Sequence, residues 1–221
     1  MNIKIIGAGG IGGWLLPPLS RYLNYSGGRA FVTVIDGDSY EAKNQERQDF
    51  HKVGNKAEVQ VERLRESFPR LEFKARGEYV TPESIDYLVE DGDIVFLCVD
   101  NHKTRSLLSE FCEDIGSIVL ISGGNEYTDG NVQVHVRKDD SNVTLPIANK
   151  FHPEIQEPAD KSPHEMSCEE LAVSEPQLIF TNFYIASLML NAFYAHTQKG
   201  VQYSEVYGDV ITNNSRAVVR T

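Results

Sequence analysis

The sequence predicts an α/β fold, in which a mainly parallel sheet is covered by helices on both faces and extended by antiparallel strands toward the C-terminus. Short apolar runs alternate with segments of helical periodicity in the first part of the chain, which is typical of parallel sheets. After Gly130 apolar and polar residues alternate instead, which indicates strands with one solvated face. With 221 residues, 41% of them hydrophobic, the chain is large enough to bury a substantial core as one domain.

The first predicted strand is followed by a glycine-rich turn. Ile3, Ile5 and Ile6 predict a short buried strand, and the glycines after it have the spacing G-x-G-x-x-G. Such glycines let the backbone turn tightly and approach a phosphate, and the helix after them presents N–H groups to the anion. The pattern fits NAD, FAD or ATP, and a glycine-rich turn can also be purely structural. The candidate nucleotide-binding glycines are Gly7, Gly9, Gly10 and Gly12.

Hydrophobic periodicity predicts the next elements. Strand-length apolar runs occupy 31–35, 94–99 and 117–121, and helical spacing covers 55–68, 81–91 and 101–115. Combined with the glycine turn, this alternation indicates a doubly wound, Rossmann-like sheet. Pro17 and Pro18 predict a break or kink in the first helix, because proline beyond the first helical turn removes hydrogen bonds.

The C-terminal third has a different organisation. Residues 131–137 predict a strand, 139–176 form a long proline-containing loop, and 203–219 predict a hairpin with two asparagines near its turn. The segment from Gln177 to Gln198 contains no Asp, Glu, Lys or Arg and is long enough to consider a membrane span. Its polar residues, among them Asn182, favour a buried or dimer-interface helix instead.

Composition limits the classes of partner and compartment. The net charge of −11 argues against a general nucleic-acid binder, which needs basic faces. The three cysteines fit a reduced cytoplasm, because their spacing supports neither a disulfide framework nor a C-x-x-C zinc site. The glycine turn begins where the apolar core of a secretory signal would have to continue, so no such signal is expected.

A second group of polar residues follows the strands. It comprises Asp36 and Asp38 in D-G-D, Asn44, Arg47 and Gln48 in N-x-x-R-Q, Lys56 before a helix, and Asp100 and Asn101 after an apolar strand. Asp36 ends a strand roughly where dinucleotide-binding folds place a ribose-binding acid, ~20 residues after the glycines. An NAD(P)-dependent oxidoreductase would explain the glycines and Asp36 but would leave Lys56 and Asp100 without a role. Each charged residue alone could also be a solvated surface group.

The ordered set resembles the adenylate-forming core of the ubiquitin-activating superfamily, of the ThiF and MoeB type. The resemblance extends from Ile3 to about Arg137, through the glycine turn, D-G-D, N-x-x-R-Q, the lysine turn, V-D-N-x-x-T-R and SGGNEYTDGNVQV. The remaining third is more loosely similar to ThiF-like proteins of the PRTRC type. The resemblance implies one adenylation domain over 1–221, with 139–176 as its crossover loop.

The resemblance also implies a reaction. Members bind ATP and magnesium, and a carboxylate, usually the C-terminus of a ubiquitin-like protein, attacks the α-phosphate to form an acyl-adenylate. By match to the family, Asp36 would hold the ribose, and Asn44, Arg47 and Lys56 the phosphates, while Asp100 would hold magnesium. These residue types suit the proposed contacts, because guanidinium and ammonium groups bind phosphate and carboxylates bind hard cations. Asp38, Gln48 and Asn101 complete the predicted nucleotide site, and a homodimer is expected.

Cys168 is the candidate thiol. In the family, a cysteine of the crossover loop can accept the activated carboxylate as a thioester. Three neighbouring glutamates would raise the pKa of this thiol, whereas His164 could serve as a base if the stretch were helical. An ordinary loop cysteine is the alternative. A metal cluster of His152, His164 and Cys168 is not favoured, because no pair has a firm zinc spacing.

Two features of many family members are missing from the sequence pattern. The chain begins on its first strand, so no preceding helix is expected to offer an arginine to a partner subunit's ATP, and two C-x-x-C zinc pairs are absent. These differences leave a third alternative beside the adenylating enzyme and the oxidoreductase. It is a non-catalytic module that binds a nucleotide or docks a ubiquitin-like protein.

Overall fold

The computed structural model describes residues 1–45, 48–166 and 177–221. Strands and helices alternate along the first part of the chain, and strands dominate the last. The strands are β1 (Asn2–Ile6), β2 (Phe31–Ile35), β3 (Ser39–Tyr40), β4 (Gly54–Asn55), β5 (Glu72–Arg76), β6 (Ile94–Leu97), β7 (Ile118–Asn125), β8 (Asp129–Lys138), β9 (Ser141–Asn142), β10 (Glu205–Asp209) and β11 (Asn214–Val218). The helices are α1 (Gly10–Tyr25), α2 (Lys56–Ser67), α3 (Ile85–Leu88), α4 (His102–Asp114), α5 (Pro153–Gln156) and α6 (Ile179–Lys199).

Nine strands of the described residues form one sheet. Its order is β11-β10-β8-β7-β6-β1-β2-β5, and β9 pairs with β8. The five strands from β7 to β5 in this order are mutually parallel, whereas β8, β10 and β11 are antiparallel to their neighbours. This mixed sheet confirms the predicted fold class: mainly parallel, with an antiparallel C-terminal extension. The two-stranded pair of β3 and β4 lies outside it.

Alternating side chains divide the core between the two faces of the sheet. Ile5 and Phe96 pack on the face covered by α1, α2 and α6, whereas Ile6 and Leu97 pack on the face covered by α3 and α4. Successive residues of a strand point to opposite faces, so a continuous apolar strand such as β6 serves both cores. This explains why its four residues are all buried.

Two predicted elements differ from the structure. The helix predicted over 81–91 is reduced to α3, because Val89 is extended and the Asp93 carboxylate accepts the Glu90 N–H at 2.8 Å, which ends the helical hydrogen bonding. At Pro17 and Pro18 a break or kink was predicted. The break is wrong, because α1 continues as one helix through both prolines, and the kink stays a prediction. The buried leucines of α1 hold the helix on the sheet and offset the hydrogen bonds that proline removes, a cost of about 3 kcal/mol.

The edge strand β5 had no counterpart among the predicted elements. Its sequence EFKAR alternates over five residues, and only Phe73 is fully buried. The apolar signal of such a strand is weak. It becomes a strand because it pairs in parallel with β2 along its whole length.

The C-terminal part follows the predicted pattern. The hairpin of β10 and β11 is present, and Asn213 at its turn has a φ of 51°. The uncharged segment forms α6, with one side buried on the sheet and aromatic residues exposed on the other. In the described part of the chain, no helix is long and apolar enough to cross a membrane.

Candidate functional site

A cleft of about 1670 Å³ opens at the carboxyl ends of the parallel strands. It lies where the chain, after building β2 and β5 on one side of β1, continues with β6 on the other side. Open α/β sheets bind ligands at this switch point, because the loops diverge there and leave a crevice. The cleft is lined by most of the predicted site residues: Gly7, Gly9, Gly10, Asp36, Asp38, Asn44, Gln48, Lys56, Asp100 and Asn101.

The glycine turn brings the N-terminus of α1 to the cleft. Gly7 has a φ of 91°, and a Cβ there would lie 2.9 Å from the Cys98 backbone, so only glycine fits this turn. Gly12 does not line the cleft. A Cβ at Gly12 would lie 2.0 Å from the Gly7 carbonyl oxygen, so this glycine permits the helix to pack on the turn. No side chain of the described residues caps α1, and its first turn holds no acidic residue, which leaves its N–H groups for an anion.

Asp36 joins the glycine turn to the loop after β2. Its Oδ2 accepts the Ala8 N–H at 2.7 Å and its Oδ1 accepts the Asp38 N–H at 2.9 Å. Burial raises the pKa of the Asp36 carboxyl above its usual value, although Lys56 and the two N–H groups act in the opposite direction. The carboxylate therefore positions the turn, and its remaining acceptor capacity faces the cleft.

Lys56 and Gln48 reach the glycine turn from the other side. The Lys56 ammonium lies 2.5 Å from Asp38 Oδ2 and its side chain is only 11% exposed. A methyl group added at Gly9 would lie 3.9 Å from Lys56 Nζ and 3.5 Å from Gln48 Nε2. The buried Lys56 cation adds its charge to the positive end of the α1 dipole, so the lysine and the helix N-terminus both favour an anion at this point.

Two predicted asparagines have local structural roles as well. Asn44 Oδ1 accepts the Glu41 N–H at 3.0 Å and closes a short 3₁₀ turn at 42–44. Asn101 Oδ1 accepts the Thr104 N–H at 2.8 Å and caps α4. Asn101 Nδ2 is buried with no hydrogen-bond partner among the described residues, and so is Gln48 Oε1. Both side chains line the cleft and keep one polar atom for a ligand.

Asp100, the candidate magnesium ligand, is exposed at the end of the loop after β6. Among the described residues no group of three or more His, Cys, Asp or Glu side chains could hold a metal by itself. A single carboxylate still suits magnesium, which keeps several waters and is bound with substrate phosphates rather than by a cage of protein ligands. The donor set thus fits magnesium delivered with a nucleotide.

Arg105 forms part of the cleft wall behind Asp100. Its guanidinium is buried and donates to Ser122 Oγ at 3.1 Å, to the Val99 carbonyl oxygen at 2.6 Å and to that of Gly123 at 2.8 Å. Burial lowers the pKa of this guanidinium, yet arginine stays charged in proteins. Its positive charge therefore stays close to the cleft.

Cys98 and Cys112 are buried free cysteines. Burial raises the pKa of each thiol to about 12, so both stay protonated near neutral pH. Of the predicted catalytic residues, Lys56 and Asp100 line the cleft, whereas Arg47 and Cys168 lie outside the described residues.

Two buried amides that line the cleft were absent from the predicted site, Gln133 on β8 and Asn182 on α6. A Cβ at Gly10 would lie 2.6 Å from Asn182 Nδ2, so this amide lies against the first residue of α1. The available signal was polarity at positions whose neighbours are apolar. In the sequence that polarity only indicated that the helix is not a membrane span.

Comparisons with known proteins agree with this architecture. A model described as the ThiF family matches residues 1–205. Relatives include the adenylyltransferase and sulfurtransferase uba4 of Emericella nidulans, 32% identical over 137 residues, and of Pyricularia oryzae, 33% identical over 137 residues. Each match covers 60% of this chain and 27% of the relative, so the chain spans about a quarter of the length of these curated relatives.

Solved structures share the fold. The crystal structure of E. coli MccB with ATP has a TM-score of 0.75 and 17% identity, and the match covers 100% of this chain and 64% of that one. PaaA has a TM-score of 0.71 and 16% identity, with coverage of 100% and 64%. At these identities the similarity shows the fold alone. With the family model matching nearly the whole chain, the protein belongs to the ThiF family.

Proposed function

We propose that this protein is an adenylyltransferase that uses Mg-ATP to activate a carboxylate, the C-terminus of a ubiquitin-like protein, as an acyl-adenylate. The observation that carries the proposal is the convergence of Lys56, Gln48 and Asp100 with the uncapped N-terminus of α1 in one cleft. Family membership supports it, as do relatives named adenylyltransferase and a fold neighbour solved with ATP. An oxidoreductase needs none of these three side chains.

The chemistry requires positioning and charge neutralisation rather than a protein nucleophile. A carboxylate oxygen of the acyl donor attacks the α-phosphorus, the bond to the bridging oxygen breaks, and pyrophosphate leaves with its electron pair. The first N–H groups of α1 and the Lys56 ammonium hold the phosphates, with Asn44 and Arg47 as further phosphate contacts. Asp36 binds the ribose, and Lys56 exchanges its bond to Asp38 for one to phosphate.

Asp100 holds magnesium in this proposal, with Asn101 beside it. When bound, magnesium neutralises charge on the phosphate oxygens and favours departure of pyrophosphate. Arg105 supports this part of the site from the cleft wall. Its hydrogen bonds to the carbonyl oxygens of Val99 and Gly123 hold the loop before Asp100 and the neighbouring strand β7 in place.

The site is tested by calorimetric titration of the purified protein with Mg-ATP and, in parallel, with NAD and NADP. We expect Mg-ATP to bind and the dinucleotides not to bind. Binding of NAD alone would replace the proposal by the oxidoreductase alternative. Binding of Mg-ATP without pyrophosphate release in the presence of a ubiquitin-like protein from the same organism would favour the non-catalytic module.

Transfer to Cys168 is a separate proposal. Its thiolate would attack the acyl carbonyl of the adenylate and displace AMP, giving a thioester. The enzyme would be a homodimer. We expect Cys168→Ala to abolish a thioester, detected as a thiol-sensitive covalent adduct, while adenylate formation continues. Loss of the adenylate as well would assign the cysteine to structure or substrate docking.

A further inference from the structure

A buried hydroxyl group contacts the glycine turn. Tyr40, the second residue of β3, is fully buried, and its ring stacks on that of Phe50 with the ring centroids 4.5 Å apart. Its hydroxyl oxygen lies 2.5 Å from the carbonyl oxygen of Ala8, the residue between Gly7 and Gly9. Tyr40 was absent from the predicted site, because a tyrosine in a short strand indicates only packing.

The surrounding hydrogen bonds give this hydroxyl a fixed direction. Arg63 donates to Gln60 Oε1 at 2.8 Å, and since arginine has only donors, this contact identifies the amide oxygen. The amide nitrogen, Nε2, therefore donates to the Asp49 carbonyl oxygen and to the Tyr40 hydroxyl, each at 2.8 Å. Because the hydroxyl oxygen accepts this N–H, its own proton is directed to the Ala8 carbonyl oxygen. Burial raises the pKa of the Tyr40 hydroxyl above its usual value, so this donor keeps its proton near neutral pH.

The bond from Tyr40 orients one peptide group of the turn. Asp36 Oδ2 accepts the Ala8 N–H at 2.7 Å and Tyr40 donates to the Ala8 carbonyl, so Ala8 is held on both sides. The peptide between Ala8 and Gly9 is planar and trans, hence its C=O and its N–H point in opposite directions. The carbonyl oxygen points to the buried hydroxyl, and the Gly9 N–H therefore points toward the cleft that Gly9 lines.

Glycine at position 9 makes this orientation easy to lose. Rotation of the peptide between Ala8 and Gly9 changes the φ of Gly9, and glycine adopts positive and negative φ about equally readily. The rotated peptide would present its carbonyl oxygen to the cleft, where it would repel a phosphate, whereas backbone N–H groups bind one. A buried donor to the Ala8 carbonyl favours the orientation that binds an anion, and Tyr40 supplies this donor.

We propose that Tyr40 is a positioning residue, which holds the Gly9 N–H toward the phosphates of the bound nucleotide. This inference rests on the proposed binding of Mg-ATP. Tyr40 acts through the glycine turn, because its own side chain is fully buried. Gln60 and Arg63 support it, since their hydrogen bonds direct the hydroxyl proton toward the turn.

Calorimetric titration of Tyr40→Phe with Mg-ATP measures the effect on binding. The substitution removes only the hydroxyl and keeps the ring that stacks on Phe50. We expect the Kd to rise about three- to tenfold, because the Gly9 N–H is then free to turn away from the phosphate. Tyr184→Phe is the matched control, since the Tyr184 hydroxyl also donates to a backbone carbonyl, that of Asn214 at 3.3 Å, in the hairpin of β10 and β11. We expect this control to bind Mg-ATP like the wild type.

A spectroscopic measurement separates positioning from stability. Ala8 and Gly9 form the only Ala–Gly pair in the sequence. Labelling alanine with ¹³C at the carbonyl and glycine with ¹⁵N therefore leaves one peak in an HNCO spectrum, which reports the Gly9 N–H and the Ala8 carbonyl together. We expect Mg-ATP to shift the Gly9 amide proton of the wild type downfield, as a hydrogen bond to phosphate forms. We expect Tyr40→Phe to shift the Ala8 carbonyl carbon upfield, as its hydrogen bond is lost.

Three results would overturn the inference while the wild type still binds Mg-ATP. They are a folded Tyr40→Phe with an unchanged Kd, an equal rise of the Kd in Tyr184→Phe, and a Gly9 amide proton that does not move downfield in the saturated wild type. Lower stability of Tyr40→Phe with an unchanged Kd is the first of these results, because it assigns the hydroxyl to folding alone.

The wild-type spectrum decides the inference if Tyr40→Phe does not fold. Failure of the wild type to bind Mg-ATP would instead overturn the proposed function itself. The two failures are therefore distinguishable.

Discussion

At the scale of single residues, the cleft combines side chains that already have partners with side chains that lack one. Asp36 and Lys56 are held by bonds within the protein before any ligand arrives. Asn101 and Gln133 each keep one buried polar atom without a partner among the described residues. The first pair gives the site its shape, and the second pair leaves two polar atoms available to a ligand.

Replacing Lys56 tests whether this residue binds the phosphates of ATP. We expect Lys56→Met to raise the Kd for Mg-ATP by about tenfold to a hundredfold, because a charge-assisted bond to phosphate contributes about 1.5–3 kcal/mol. Calorimetry measures the change. Lys52→Met is the matched control, since Lys52 pairs with the exposed Glu62 on α2 and does not line the cleft. If both substitutions raised the Kd equally, the loss of affinity would come from the change in net charge.

At the scale of elements, the connection between β1 and α1 is tightly constrained by packing. The positive φ of Gly7 and the close approach at Gly12 both follow from packing a helix directly over the turn that precedes it. The G-x-G-x-x-G spacing therefore serves both the packing of the helix and the binding of a ligand. Gly12 stabilises the arrangement, Gly10 makes room for the Asn182 amide, and Gly9 leaves room for the anion.

Gly12→Ala tests this division of roles. The added Cβ would meet the Gly7 carbonyl oxygen, so we expect the free energy of unfolding to fall by about 1–3 kcal/mol or more. Urea denaturation measures it. Gly28→Ala is the control, because a Cβ there meets nothing within 4 Å and the expected change is within about 0.5 kcal/mol. Equal stability of both variants would contradict the packing role.

At the scale of the whole molecule, stability depends on polar groups that the sheet buries. His135 on β8 is buried and bonds to Asn142 Oδ1 at 3.0 Å through Nε2, while its Nδ1 has no partner among the described residues. Burial lowers the pKa of this imidazole below its usual value. The folded protein therefore holds the neutral form, and the unfolded chain takes up the proton first as pH falls.

This linkage predicts a pH dependence with a definite sign. Stability from His135 is fully present above the unfolded pKa, near 6.5. It is lost as pH falls from there toward the folded pKa, by about 1.4 kcal/mol for each unit of pKa shift. Urea denaturation of the wild type and of His135→Gln from pH 7.5 to 5.5 measures it. We expect the wild type to lose more stability than the variant, and parallel curves would contradict the assignment.

Much of the fold was predictable, because its signals are local. The apolar runs at 31–35 and 117–121 and the glycine turn each carry their pattern within a few residues, and the structure confirms these elements. The edge strand β5 and the shortening of the 81–91 helix were not predictable. Strand β5 depends on pairing with β2, a distant part of the chain. The 81–91 helix is shortened by the side chain of Asp93, which is only three residues from Glu90 but gives no signal in the helical spacing.

The sequence by itself determined the residue types of the predicted site and the order in which they occur along the chain. Only the tertiary structure decided which of them meet, because parallel strands bring their carboxyl ends together whatever their separation in sequence. It also added Gln133 and Asn182, whose polarity has no local pattern. Burial makes an unpaired amide costly in free energy. Burial is a property of the folded sheet rather than of any short segment.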